Sequence, residues 1–133
     1  MTRYFTIKEA EALIPKLEES FEVIFTIQKQ AEAKIKKIQA LESQQPKYLP
    51  DLMIEKSHLE FLAGSLQETI LCIEKMGCLF KGVSPALVDF PFQLEGEDVL
   101  LCWERGEKKL QYYHGFEEGY LGRKPLPHHL IEH

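Results

Sequence analysis

From Thr6 to Met76 apolar residues recur at alternating steps of four and three, and beyond Gly77 the step becomes two. The first spacing keeps one stripe of a helix apolar; the second keeps one face of a strand apolar. The chain therefore reads as α+β, a long antiparallel helical hairpin followed by a small antiparallel β-hairpin or sheet. Residues 6–76 form the hairpin, 77–126 a β-rich segment and 127–133 a tail, all within a single domain spanning 1–133.

Thr6-Ile7-Lys8-Glu9 has the form of a capping box, in which hydroxyl and carboxylate each accept from the other residue's backbone N–H. The seam that follows is Ala10, Ile14, Leu17, Phe21, Ile24, Gln28, Ala31, Ile35 and Ile38. Pro15 removes a backbone donor and disfavours helical geometry at Ile14, so a kink or break is expected there. Residues 43–50 turn the chain. A second helix begins near Asp51, or at the further capping box Ser57-His58-Leu59-Glu60, and runs to Met76 with Gly77 as a left-handed cap. Its stripe is Leu52, Leu59, Leu62, Leu66, Ile70 and Ile73, widened by Phe61, Leu71 and Met76.

Each long helix has about 26 to 28 residues, roughly 40 Å at 1.5 Å per residue. Two helices alone cannot bury apolar residues on both sides of a hairpin. The surplus requires either the C-terminal segment or a second copy of the chain, and a symmetric dimer closing a four-helix bundle is the economical arrangement. Gly64 inside the second helix costs roughly 1 kcal/mol relative to alanine. Either a close backbone approach offsets this or the glycine is simply tolerated.

In the second half Cys78–Lys81 and Phe92–Leu94 are short extended candidates, separated by Gly82, Pro85 and Pro91. The stronger pattern is Val99 to Trp103 followed by Leu110 to His114. A two-residue loop at Gly106-Glu107 sets Trp103 opposite Leu110 and Leu101 opposite Tyr112. Val99, Leu101, Trp103, Leu110 and Tyr112 then share a buried face that docks on the helices. A lone hairpin is marginal in water, so a third strand is expected from Ala86–Asp89 or Phe92–Leu94.

This register separates Cys102 from His114, which fall on opposite faces unless a bulge intervenes. The chain also lacks paired zinc-ligand spacings, so no metal site and no cofactor are expected. Asp89, Glu107 and His114 lie near strand ends or turns and are the candidate catalytic acids, bases or carboxylate partners. Asp89, between Val88 and Phe90 and followed by Pro91, is either a functional carboxylate or a turn cap bonded to backbone N–H groups. His114 has the plainer reading of a strand-end histidine bonded to a loop. Arg123 either ties its loop to Asp89 or Glu107 or clamps a substrate anion. Trp103, Tyr112 and Arg123 are the candidate ligand-binding residues.

Gly115, Gly119 and Gly122 do not join a strand to a helix, and Glu117-Glu118 would repel phosphate, which excludes a phosphate loop. His129 and His133 form an i, i+4 pair in the expected tail.

Three cysteines, an odd number without CxxC spacing, fit reduced thiols in a cytoplasm better than a disulfide framework. A net charge of −5 opposes general nucleic-acid binding. RNA contact through Lys29, Lys34, Lys36, Lys37 and Lys47 is therefore the weakest reading. No apolar run approaches the roughly 20 residues that cross a bilayer. Acids inside the first apolar stretch, with no small-residue cleavage site, argue against a secretory signal.

FTIKEAEALIPKL near the start, then LVDFP, VLLCW and YHGFEEGYLGRKPL, resemble the domain of unknown function 2203 family over essentially the whole chain. Two positions depart from the family's pattern. Ala86 stands where a glycine is expected before LVDFP, and Glu104 where an arginine commonly follows LCW. The resemblance implies a small bacterial cytoplasmic protein without an assigned activity. The residues themselves favour a homodimeric module that binds a partner protein or small ligand. The competing expectation is a small enzyme using Asp89, Glu107 or His114, with Arg123 as anion clamp.

Overall fold

A computed structural model describes residues 3–44 and 49–131. Residues 45–48 of the expected connector, Lys47 among them, and His133 of the expected histidine pair lie outside the described residues. The fold is α+β: helices α1 (Ile7–Ala12), α2 (Ile14–Glu42) and α3 (Leu49–Lys75) precede a sheet, and a short α4 (His128–Ile131) follows it. The chain divides into two compact units, one of 1–21 with 72–133 and one of Glu22–Leu71. No helix among the described residues is long and apolar enough to cross a membrane.

The capping box forms as expected: Glu9 N–H donates to Thr6 Oγ1 at 3.0 Å, and Thr6 N–H donates to Glu9 Oε1 at 2.8 Å. The helix then breaks at Leu13, and α2 restarts with Pro15 in its first turn, where a missing N–H is harmless. α3 begins earlier than either expected start, with Pro50 and Asp51 in its opening turn, so Ser57 lies within the helix and caps nothing. It ends before Gly77, whose φ of +98° is the left-handed cap. A Cβ at Gly77 would also lie 3.2 Å from Phe5 Cζ, so both backbone and space demand glycine.

Within Glu22–Leu71, α2 and α3 run antiparallel. Lys34 and Lys37 reach Glu55 at 2.7 and 3.1 Å, and Lys56 reaches Glu42 at 3.4 Å. The seam is buried at Ile24 and Ile38, half-buried at Gln28 and Ala31 and exposed at Ile35, and Ile27 beside it is buried. On α3 the expected stripe is buried at Leu52 and half-buried at Leu59, Leu62, Leu66 and Ile70. Leu49, Met53, Ile54, Phe61 and Leu71 remain exposed, Phe61 at 74%.

In the other unit, among the described residues, five antiparallel strands pair in chain order. They are β1 (Leu79–Val83), β2 (Ala86–Leu94), β3 (Glu97–Glu104), β4 (Tyr112–His114) and β5 (Lys124–Pro125). The two alternative third strands are one nine-residue strand, β2, that runs through Pro91. Pairing with β1 stops at Asp89, and the Pro91 carbonyl points outward to accept from Phe5 N–H at 2.9 Å. Proline's missing donor thus faces away from β3. One sheet face carries Val88, Phe90, Leu101 and Trp103 and packs on Phe5 and Phe21: Phe5–Phe90 centroids are 5.2 Å apart, Phe21–Trp103 and Phe21–Phe80 5.9 Å. Trp103 is fully buried and donates its Nε1–H to the Glu107 carbonyl at 2.8 Å.

The Lys34 and Lys37 hydrogen bonds hold the Glu55 carboxyl below its ordinary value of 4.5. A depressed folded-state value gives stability that is present above 4.5 and lost as pH falls through the lowered value. Glu55→Gln is expected to lower the urea midpoint at neutral pH and to narrow the gap between neutral and acid midpoints. A variant as acid-sensitive as the parent would contradict the assignment.

Candidate functional site

The β3–β4 pairing differs by one residue from the expected register. Leu101 faces Tyr113, Cys102 faces Tyr112 and Leu100 faces His114. The connection is not a two-residue loop. It turns at Gly106, and its amides are captured from a distance: Leu110 N–H donates to Glu11 Oε2 at 2.9 Å and Gly106 N–H to Glu18 Oε1 at 3.3 Å. Leu110 is buried outside the strands rather than opposite Trp103. A slip of one residue turns every side chain of a strand to the other face. His114 therefore shares a face with Cys102, correcting the expected separation, and Asp89 joins them because it pairs with Cys102 across β2 and β3.

Asp89, Cys102 and His114 are all buried, and one ligand-type atom from each lies within 4.8 Å of the others. His114 Nδ1 is 2.7 Å from the Gly115 carbonyl, and Nε2 is 3.0 Å from Asp89 Oδ2. A carbonyl only accepts, so Nδ1 carries a proton and donates. Nε2 and Oδ2 then meet with one proton between them, since two lone pairs at that distance would repel. The other Asp89 oxygen, Oδ1, is buried with no hydrogen-bond partner. Burial pushes the Asp89 carboxyl up from its ordinary value, opposed by charge at His114 and Lys81. Burial also pushes the Cys102 thiol up to about 12, with the Asp89 carboxylate adding to the shift. At neutral pH it is a thiol and no free nucleophile.

Asp89 lies inside β2 and caps no turn, so the turn-cap expectation is overturned. The neighbouring strands already use the local backbone donors, and the carboxylate meets the histidine instead. His114 does end a strand and bond a loop carbonyl, as its plainer reading held, and it bonds Asp89 as well.

Glu107 is held by Arg123, whose Nη2 lies 2.7 and 2.9 Å from its two oxygens and 3.1 Å from the Cys102 carbonyl. Arg123 Nη1 is 3.7 Å from Glu104, and the guanidinium stacks on Tyr112 at 4.1 Å. Of the two readings of Arg123, the loop tie to Glu107 describes this geometry. Glu104 accepts from Tyr120 Oη–H at 2.8 Å. The segment from Gly115 to Arg123 is thereby fastened over the sheet. Glu118 folds back to take Gly115 N–H at 2.7 Å, so closely that a Cβ on Gly122 would meet its Cβ at 2.6 Å.

Beneath this segment lies a cavity of about 270 Å³, bordered by Lys81, Asp89, Cys102, His114, Phe116 and Tyr120. A larger groove of about 630 Å³, beside Tyr4, Phe5 and Phe92, lacks such a cluster. Trp103, Glu107 and Arg123 do not line the smaller cavity, so the candidate residues fall into two adjoining sets joined through Cys102. Lys81 is a site residue that the sequence reading does not name, and Cys102 is one that the expected register separates from His114. The LVDFP and VLLCW strings held the signal, but its use required the register.

Asp89→Ala is expected to strand His114 Nε2 in a dry site and cost about 1–3 kcal/mol in urea unfolding. Asp89→Asn, whose amide can donate to Nε2, should cost markedly less. Purely additive losses in an Asp89→Ala/His114→Ala cycle would show that the two do not interact.

No curated protein and no solved structure matches the chain. A family model described as "Uncharacterized conserved protein (DUF2203)" matches residues 3–126. That span takes in α1, α2, α3, the five described strands and the Asp89–Cys102–His114 cluster, stopping short of α4, and the chain belongs to this family.

Proposed function

We propose that the protein is a homodimeric ligand-binding module, with the helical hairpin as the dimer surface and the cavity over Asp89 as the ligand site. The observation that carries the ligand site is the buried, unpartnered Oδ1 of Asp89 beside that cavity. Burying a carboxylate oxygen without a partner is costly, and a bound cation or hydrogen-bond donor would offset the cost. The cavity volume is just below the ~300–1,000 Å³ of pockets for organic ligands, which favours a very small ligand.

The dimer surface rests on α3. At about 100° per residue, Leu49, Met53, Ile54, Phe61 and Leu71 fall roughly opposite the Leu59, Leu62, Leu66 stripe, so α3 has two apolar sides. Gly64 lies among the exposed set, and none of the described residues comes within 4 Å of a Cβ placed there. No close approach among the described residues offsets this glycine; a second protomer would. Three free thiols support a reducing compartment such as the cytoplasm.

The alternative is a small enzyme in which Asp89 and His114 exchange their shared proton with a substrate in the cavity. Its supporting observation is the 3.0 Å contact between them. Glu107 and Arg123 enter it only as supports, because Arg123 Nη2 is bonded to both Glu107 oxygens.

Light scattering at micromolar concentration is expected to give twice the chain mass, and Phe61→Glu the single chain mass. A monomeric parent would remove the dimer. For the ligand site, imidazole, methylammonium and zinc chloride serve as probes of the His114 ring NMR signals. At least one should shift them saturably, and less so in Asp89→Asn; indifference to all three would end the ligand reading.

A further inference from the structure

We infer that Asp89, Cys102 and His114 form a binding site for a divalent transition-metal ion of the zinc class, with the open coordination position facing the cavity. This rests on the reading of that cavity as a ligand site and names its ligand.

The donor set is the first argument. One carboxylate, one thiol and one imidazole suit zinc, cobalt(II) or nickel(II) better than magnesium or calcium, which take oxygen ligands. The second is the ring orientation. His114 Nδ1 is spent on the Gly115 carbonyl, which leaves Nε2 turned toward Asp89 and Cys102. Metal-bound histidines are held by a second-sphere hydrogen bond of this kind. The third is distance. Bonds of ~2.0–2.3 Å to N, O and S in a tetrahedral site put ligand atoms about 3.3–3.7 Å apart. The cluster has Oδ2 and Nε2 at 3.0 Å and all three atoms within 4.8 Å, so side-chain rotations of an ångström or less suffice.

The fourth is charge. A thiolate, a carboxylate, a neutral imidazole and a dication sum to zero, the only total that a site this buried holds cheaply. The same ion would give Asp89 Oδ1 the neighbour it lacks. In the free protein the proton shared by Oδ2 and Nε2 occupies the ion's place. Binding releases that proton and the Cys102 thiol proton to solvent, so affinity falls as pH falls. Lys81, on the border of the same cavity, is the charge that opposes the ion. Three protein ligands beside a cavity leave one position for water or a small anion, as in zinc sites that are not purely structural.

Cobalt(II) titration of the Cys72→Ser protein, free of its exposed thiol, tests the site. Expected are a thiolate-to-cobalt charge-transfer absorption saturating at one ion per chain and a zinc-dependent rise in Tm. Cys102→Ser should abolish the charge-transfer band, Asp89→Asn should weaken binding at least tenfold, and Cys78→Ser should change neither. Far-ultraviolet circular dichroism of Cys102→Ser establishes that it is folded. A spectrum without the thiolate band at saturating cobalt, or a band that survives Cys102→Ser, overturns the inference. If imidazole or methylammonium still shifts the His114 signals while cobalt gives no band, the ligand site stands and the metal assignment alone falls.

Discussion

Two glutamates on the first helices hold the strand register on which the candidate site depends. Glu11 and Glu18 take the amides of Leu110 and Gly106, so the chain between β3 and β4 cannot close as a tight hairpin. The resulting pairing of Leu101 with Tyr113 brings His114 to the side of Cys102 and Asp89. A tight hairpin would have satisfied the same apolar alternation with the histidine on the opposite side. The polar cluster is thus a product of contacts nearly one hundred residues apart in sequence, not of local strand chemistry.

The two faces of the sheet use burial differently. Toward Phe5 and Phe21 the face is largely aromatic and aliphatic, and the buried Trp103 Nε1–H has a backbone acceptor. Toward the Gly115–Arg123 segment, carboxyl, thiol and imidazole are buried together with one oxygen unpartnered. Buried polar groups are normally fully bonded because desolvation is costly. Stability alone would fill these positions with apolar side chains, and this is the physical ground for reading them as functional.

The helices were legible from spacing because their signals are local: the Thr6 box, the break at Pro15 and the cap at Gly77 each need only neighbouring residues. The α+β architecture and the family resemblance were equally legible. Of the two starts offered for α3, the one near Asp51 agrees with a first turn that holds Pro50 and Asp51, while Ser57, which has the form of a cap, lies inside the helix. β2 was read in two pieces because Pro91 looks like a strand breaker. It is tolerated only because β1 has ended by that point, which no local pattern reveals. Asp89 and His114 were marked individually, but their convergence with Cys102 was not, since the loop length was set by Glu11 and Glu18 far upstream.

Pro91 has a consequence for the solution behaviour of the sheet. Beyond Asp89 the outer side of β2 has no strand beside it among the described residues, and such a margin invites another molecule to add its own backbone. Proline deletes one donor there and Phe5 N–H occupies the adjacent carbonyl, so an incoming chain finds neither half of the ladder it would extend. The N-terminal segment, besides leading into the first helix, thereby covers part of an otherwise open strand margin.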